Sequence, residues 1–530
     1  MHRLLDVLPV FAGDERISRL FTLVPGSDFG VDALAALERL HARTVPWDEA
    51  CRGQYDLIVA ASPKGEIRLL RGPRVLLPHG AGYNKTVPGE GSADLASGLD
   101  PEYLLPGGGA LATLHALAHP SQIARLTALS PRAAAHATVV GDPTLERILA
   151  SLPLRGSYRA ALGTGARKLI ALTSTWGPES LLRLRPTLPA DLAARLPQDA
   201  YQLALVVHPN QRSRIGDFDL AERLAPALDA GMILAGPHEE WAAVLAAADA
   251  VITDHGSTAL YYAAALDGPI LAAYDGRDEL LPGSPMAELL ARIPRLDHAA
   301  DLEAALGRYQ PGTGRAAAAS AFAERGNALQ RLSRELYRLL GLAPPAAPLT
   351  TRPLPAPAPP ARTPSAFAVR VRIDGDEVQV ERFPSHIDPP AHHLAAEHGA
   401  AGERHLQSAG LLYRREARPS TGPYGAAWTV AGWIAHALDS YPGCRTAAAV
   451  LSPGHCVAQI RHGALLTVRI ESPLEDGRIV YTDPAAVLSA VHARLAAPDD
   501  GVAALTCVIG GRPYRVRLSP AAPEEAARPF

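Results

Sequence analysis

The stretch from Ala248 to Pro285 reads ADAVITDHGSTALYYAAALDGPILAAYDGRDELLPGSP, and its pattern decides the fold of the central part of the chain. The apolar run Ala250 to Thr253 predicts a short strand, and Asp254-His255-Gly256-Ser257-Thr258 a tight polar turn. Alanine, leucine and tyrosine then continue at helical spacing to Leu266. A second strand is predicted at Ile270 to Ala273, followed by an acidic loop, Tyr274 to Glu279, that Pro282-Gly283 closes. Strand, turn, helix and strand in that order make a βαβ unit. Asp254, Ser257 and Thr258 fall where the N-cap and first turn of the helix belong, so backbone N–H groups and hydroxyls converge on a place suited to an anion.

The alternation extends outward on both sides. Toward the start of the chain, Leu20 to Val24, Asp56 to Ala61, Arg74 to Pro78 and Ala137 to Val140 read as strands, and Val31 to His41 as a helix. Arg74 to Pro78 runs into Pro78-His79-Gly80-Ala81-Gly82-Tyr83-Asn84-Lys85, which puts His79 at the carboxyl end of a strand, where open α/β sheets bind ligands. A turn histidine without chemistry is the competing reading. Gly107-Gly108-Gly109 reads as the opening of an Ala/Leu helix carrying His115 and His119. Further along, Lys168 to Thr173 leads into Ser174-Thr175-Trp176, Leu203 to Val207 into His208-Pro209, and Met232 to Ala235 into a helix with Trp241. Gly163 to Lys168 precedes a strand instead of following one, which removes it as a phosphate loop. Ala316 to Leu342 reads as one long helix. The predicted class is therefore α/β, with two Rossmann-like lobes over residues 1–157 and 158–342 and a cleft between them as the candidate site.

From residue 343 to 365 the sequence is a Pro/Ala-rich linker, expected to be extended and semi-rigid. Residues 366–530 read as a separate α+β domain. Phe367 to Ile373 and Glu377 to Arg382 flank Asp374-Gly375 as a hairpin, helices are predicted at Ala426 to Leu438 and Pro484 to Leu495, and strands at Thr446 to Leu451, Leu465 to Ile470, Ala503 to Ile509 and Tyr514 to Leu518. His386, His392, His393, His398 and His405 fall in a loop-like region without carboxylate or cysteine at ligand spacing, and read as surface residues. Nothing in this domain names a function, and a protein partner is the expectation for it.

Composition narrows the classes. A chain of 530 residues calls for two or three domains. A net charge of -3 and a pI near 6.7 argue against a general nucleic-acid binder. No apolar run approaches the roughly 20 residues of a membrane span, and Met1 to Arg16 lacks the pattern of a secretory signal, so a cytoplasmic protein is expected. Cys51, Cys444, Cys456 and Cys507 form no CxxC pair, and His455 beside Cys456 lacks further ligands, so neither a disulfide framework nor a metal site is expected. The abundance of Ala, Arg, Pro and Gly resembles the coding bias of a GC-rich bacterial genome.

Six short segments, in order, carry a resemblance. They are Pro78-His79-Gly80 with Lys85, Ser174-Thr175-Trp176, His208-Pro209, Thr253-Asp254-His255-Gly256-Ser257, Tyr274-Asp275 and Pro282-Gly283-Ser284-Pro285. Over about residues 15–342 this order resembles the CDP-glycerol glycerophosphotransferase family, builders of teichoic-acid-like polymers on a B-type glycosyltransferase fold. The chain departs from the family pattern where tryptophan is replaced by Pro78, the lysine is displaced to Lys85, arginine by Gly177 and tyrosine by His255.

The resemblance implies a nucleotide-activated donor, with CDP-glycerol and a nucleotide sugar both open, and an acceptor hydroxyl. It implies His79 as general base and His208 as a phosphate-holding catalytic residue. Thr175, Asp254, Gly256, Ser257, Thr258 and Asp275 would serve the donor nucleotide and its phosphates, and Gly80, Asn84 and Lys85 the acceptor side. No cofactor and no metal are called for. Two rival readings share the fold: a non-catalytic nucleotide sensor or scaffold, and an enzyme like the UDP-sugar epimerases.

Overall fold

The computed structural model describes residues 2–25, 30–87, 95–274, 276, 278–384, 391–416, 427–496 and 503–530. Its first sheet contains β1 (Ile58–Ala60), β2 (Arg74–Leu76), β3 (Leu114–Leu117) and β4 (Ala137–Val139), all parallel and in sequential order. The second contains β5 (Lys168–Ser174), β6 (Tyr201–Val207), β7 (Ile233–Leu234), β8 (Ala250–Thr253) and β9 (Ile270–Ala272), again all parallel, in the order β7-β6-β5-β8-β9. These strands are near-continuous apolar runs because helices cover both faces, as parallel sheets require. The strand order of the second sheet reverses between β5 and β8. Ligands of such sheets bind at that switch point.

Three expectations from the sequence are corrected. The Ala/Leu stretch after Gly109 is not a helix: Leu114–Leu117 is a fully buried strand, and the helix begins only at Pro120 with His119 as its N-cap. A short apolar run cannot be assigned by periodicity alone, and here burial on both faces selected the strand. The long helix from Ala316 is two helices, Thr313–Ala318 and Ala328–Leu340, interrupted by left-handed backbone at Glu324 (φ 54°) and Gly326 (φ 80°). Leu20 to Val24 forms only an isolated parallel bridge, Phe21 to Thr44.

Helix Ala328–Leu340 returns to the first lobe. Its Leu329, Leu332, Leu336 and Tyr337 share one apolar cluster with Val7, Phe11, Val75 and Leu114. Conversely, the helices Pro143–Ser151 and Arg155–Ala161 contribute Leu145, Ile148 and Tyr158 to a cluster with Val244, Leu260 and Tyr262 of the second lobe. The lobes are thus crossed by the chain and cross-packed. Among the described residues no helix is long and apolar enough to cross a membrane.

The Pro/Ala segment has no regular secondary structure and is strapped onto the second lobe. Arg147 donates to the carbonyls of Arg352 (2.9 Å) and Pro353 (3.1 Å), Tyr158 donates to the Leu354 carbonyl at 2.9 Å, and Leu354 is 5% exposed. Beyond it, nine strands close into a barrel: β10 (Ala366–Asp374), β11 (Glu377–Pro384), β12 (His393–Glu397), β13 (Leu411–Arg415), β14 (Thr446–Ser452), β15 (His455–Ile460), β16 (Leu465–Glu471), β19 (Ala504–Ile509) and β20 (Arg512–Pro520). The small hairpin β17 (Leu474–Glu475) and β18 (Arg478–Ile479) stands apart.

Helix Pro484–Leu495 is buried from Pro484 to Arg494, and its Val487, Leu488 and Val491 join the inward Val369, Val380, Ala448 and Val468 in one cluster. This explains a helix that reads as apolar all round: it fills the barrel. Outward Ala447 and Ala449 instead pack with Trp433 of the outer helix Val430–Ser440, following the period of two along β14. The barrel docks on the second lobe through Arg382, whose guanidinium meets Asp199 at 2.6 Å and Asp483 at 2.8 Å.

Candidate active site

At the switch point, Asp254 ties the turn after β8 to the turn after β5. Its Oδ2 accepts from the backbone N–H of Thr175 (2.7 Å) and Leu181 (2.9 Å), and its Oδ1 from that of Gly256 (2.8 Å). The carboxyl is fully buried, which pushes its pKa up against the lowering effect of His255 and these N–H groups. Thr175, Asp254 and Gly256 are therefore brought together, with the Asp254 carboxylate holding the backbone of both turns. The helix Thr258–Ala265 starts directly afterward, with Ser257 at its N-cap making no side-chain cap bond. Thr258 is its first residue. Asp275, expected at the nucleotide, lies outside the described residues.

The first lobe faces this turn with the loop after β2. A Cβ on Gly80 would stand 2.8 Å from Ser257 Oγ, so glycine at 80 is what lets the two loops approach so closely. His79 and His208 face each other with ring centroids 6.3 Å apart, and Trp176 lies 6.3 Å from His208. His208 caps the helix Pro209–Ile215, its Nδ1 accepting from the Asn210 N–H at 3.1 Å. That bond fixes the tautomer of the neutral ring, leaving the proton on Nε2.

His79 is exposed on the cleft floor. Although His79 is open to solvent on one side, the protein packed around its ring disfavours the charged form most, and nearby cations, Arg3 and Lys64 among them, add to this; together they lower its pKa to about 4, partly countered by a hydrogen bond to the Ala61 backbone. The carbonyl of Pro78 accepts from Arg3 Nε at 3.0 Å, and Arg3 Nη1 also reaches Asp142 (2.7 Å), Thr144 (2.9 Å) and Tyr261 (2.9 Å). Tyr261 belongs to the helix that starts beyond Ser257, so Arg3 fixes the His79 loop against the second lobe.

Beside this pair lies a buried lock. His255, 1% exposed, bonds Tyr274 OH through Nδ1 at 2.5 Å and Glu279 Oε2 through Nε2 at 3.1 Å. The same Glu279 oxygen meets Lys85 Nζ at 2.6 Å. Burial would raise the Glu279 carboxyl, but its bonds to His255 and Lys85 outweigh that and hold it below its ordinary value. Tyr274 donates to the Glu179 carbonyl, while the Glu179 carboxylate accepts from the N–H of Asp278 (3.1 Å) and Glu279 (3.2 Å). Glu179, His255 and Glu279 have the donor atoms for a cation. Lys85 and the backbone N–H groups already supply the opposite charge.

Lys85 also sits 4.7 Å from the centre of the Trp176 ring, with the Arg214 guanidinium 4.9 Å from it. Asn84 Oδ1 accepts from the Met286 N–H at 3.1 Å, and Leu281 N–H donates to the Asn84 carbonyl at 2.9 Å. Asn84 and Lys85 thus sit in the seam between the lobes, whereas His79, Gly80, His208 and Ser257 border the cleft.

The same lock crowds Gly177. Gly177 has φ 102°, and a Cβ there would lie 3.0 Å from Glu279 Oε1 and 3.3 Å from Lys85 Nζ. A side chain at this position would press on the lock from its first carbon. Of the lock, Glu279 carried no signal beyond an acidic loop and Glu179 none beyond the turn after β5, and nothing in the sequence singled out Arg3, Asp142 or Tyr261.

Two Rossmann-like lobes meeting across a cleft define a B-type glycosyltransferase fold, here with a barrel attached. No family model matches the chain, and no curated protein matches it either. Among solved structures it is similar to the wall teichoic acid polymerase TagF, at 14% identity and a TM-score of 0.47, over 64% of this chain and 86% of that one. Anabaena Alr3699/HepE in complex with UDP is similar at 15% identity and a TM-score of 0.38, over 63% of this chain and 95% of that one. S. aureus MnaA with UDP follows at 11% identity and 0.37, over 61% and 96%.

Proposed function

We propose that the chain is a nucleotide-dependent transferase that moves a glycerophosphate or glycosyl group from a CDP- or UDP-activated donor to an acceptor hydroxyl. The observation that supports this most is the His79–His208 pair, 6.3 Å apart at the cleft beside the switch point of the second sheet. In this reading the donor diphosphate lies at Ser257 and the first turn of the Thr258–Ala265 helix, where unpaired N–H groups and the helix dipole favour negative charge. His208, its proton on Nε2, donates to a phosphate oxygen. His79 is neutral at pH 7 and takes the proton of the acceptor hydroxyl as the oxygen attacks phosphorus or the anomeric carbon. The bond to the leaving nucleotide breaks, and the charge growing on its phosphate is held by Ser257 and His208. The bound diphosphate itself raises the basicity of His79, because a nearby anion favours the imidazolium.

Calorimetric titration with CDP-glycerol, CDP, UDP and UDP-N-acetylglucosamine tests the reading, repeated on Ser257→Ala and His208→Gln. Saturable binding of one nucleotide, weakened about tenfold by each substitution as loss of a charge-assisted hydrogen bond implies, is the expected result. Absence of binding to all four, or binding indifferent to both changes, overturns it in favour of a scaffold. Turnover of a nucleotide sugar with no acceptor present would instead support the epimerase-like reading.

A further inference from the structure

The barrel contains a second histidine constellation, unrelated to the cleft. β12 opens with His393, preceded by His392, and the helix inside the barrel carries His492 near its carboxyl end. The expectation that His392 and His393 are both surface residues fails for His393, which is 9% exposed, and His492 is 4% exposed. His386 lies outside the described residues, while His398 packs elsewhere, 5.8 Å from Trp433. The rings of His393 and His492 have centroids 4.4 Å apart, and the Nδ1 atoms of His392 and His393 are 3.0 Å apart. One nitrogen from each of the three rings lies within 4.8 Å of the others.

Three details fit this cluster to a ligand. First, His393 Nε2 is buried without a hydrogen-bond partner, an arrangement that a packed interior rarely tolerates. Second, His492 Nδ1 pairs with Thr446 Oγ1 of β14 at 2.8 Å, the outer hydrogen bond that typically orients a metal-binding imidazole and leaves Nε2 for the metal. Third, Gly410 presents no side chain beside that nitrogen; a Cβ there would come into ordinary contact, 3.6 Å from His492 Nε2 and 3.4 Å from His393 Cβ. The three donors of this cluster are all imidazoles.

We propose that His392, His393 and His492 form a three-histidine site for a zinc-type dication at the barrel end. Imidazole nitrogens suit zinc and its neighbours over magnesium or calcium. Three protein ligands with His392 exposed to solvent leave a fourth position for water, the pattern of a reactive zinc site and not of a closed structural one. Binding draws the ring nitrogens from within 4.8 Å to about 3.4 Å of one another, as tetrahedral zinc–nitrogen bonds demand.

The full-length chain, stripped with a chelator, is titrated with zinc chloride by calorimetry and separately with cobalt(II). The expected result is one equivalent of zinc with a submicromolar Kd and the intense visible absorption of tetrahedral cobalt. His392→Ala removes an exposed ligand without disturbing the core and weakens binding at least tenfold. Thr446→Val weakens it about tenfold through the orienting bond. Ser257→Ala, in the cleft, binds zinc as the parent does. Absence of stoichiometric binding overturns the site, as does zinc binding that survives both His392→Ala and His393→Gln unchanged, which would place the ion elsewhere.

Discussion

His79 and His255 stand in equivalent surroundings by sequence. Each follows a parallel strand, β2 or β8, within a short polar turn, and each is followed by glycine. The structure treats them oppositely. His79 is exposed on the cleft floor facing His208, while His255 is 1% exposed with both ring nitrogens taken by Tyr274 and Glu279. In the proposed reading, what separates a general base from a fastening is the occupancy of its nitrogens. A base needs a lone pair that substrate can reach; a buried imidazole between a phenol and a carboxylate has none left.

The sharpest way to break this contrast is to truncate each histidine in turn. His79→Ala should cut turnover by about 10²- to 10⁴-fold, the range for a lost general base, with the denaturant midpoint unchanged. His255→Ala should do the reverse in stability, lowering it by about 2 kcal/mol because Glu279 and Tyr274 lose a buried partner. Equal effects of the two variants on both readouts would dissolve the distinction. The pH profile adds a sign. His79 must be neutral to accept a proton, so kcat/KM of the free protein should be flat through neutrality and fall only as pH drops through about 4.

The next effect concerns the ion pair that holds His255's partner. Lys85 and Glu279 have side chains 16% and 2% exposed, so Lys85→Met leaves a carboxylate buried beside His255 without its ammonium. A loss of about 3 kcal/mol at pH 7 is expected for breaking a buried pair from one side. Glu279 has a depressed pKa in the folded state, so the stability it contributes is present above its unfolded value and is lost as pH falls through the folded one. In the variant Glu279 protonates more readily. The gap between parent and variant, read from urea midpoints, should therefore be widest at neutral pH and narrow in acid. A gap constant from pH 7 to acid would mean that Glu279 is not the partner that matters.

Much of this was legible in the sequence, and the boundary has a physical cause. Parallel strands announce themselves as apolar runs that end in polar turns, so β2, β5, β6 and β8, with His79, Thr175, His208 and Asp254 at their ends, could be placed by pattern. The hairpin at Asp374 and the helix from Pro484 to Leu495 were equally plain. Closure of the barrel was not, because β12, β13 and β15 are short and pairing is a property of the whole sheet. Contacts between distant segments left no local trace either. Arg3 reaching Pro78, Asp142 and Tyr261 is invisible to any window. His492 sits in an alanine-rich helix, about a hundred residues from the histidines it meets.

The smallest effect tests whether the lock, and not the turn alone, dictates glycine at 177. With φ 102° the backbone disfavours any side chain, and the added Cβ of Gly177→Ala would press on Glu279 Oε1 at 3.0 Å. Strain of this kind costs about 1–3 kcal/mol. The two contributions separate in the background of Glu279→Gln, which removes the charge but keeps the shape, and Glu279→Ala, which removes both. If the crowded lock carries part of the cost, Gly177→Ala should be milder beside Glu279→Ala than beside Glu279→Gln. If the backbone alone carries it, the cost will be the same in both, and the exclusion of a larger residue at 177 will belong to the turn. In either case Gly177→Arg should destabilise more than Gly177→Ala. A longer side chain at 177 would have to push past the Lys85–Glu279 ion pair, which already lies 3.0–3.3 Å from the first carbon it would add.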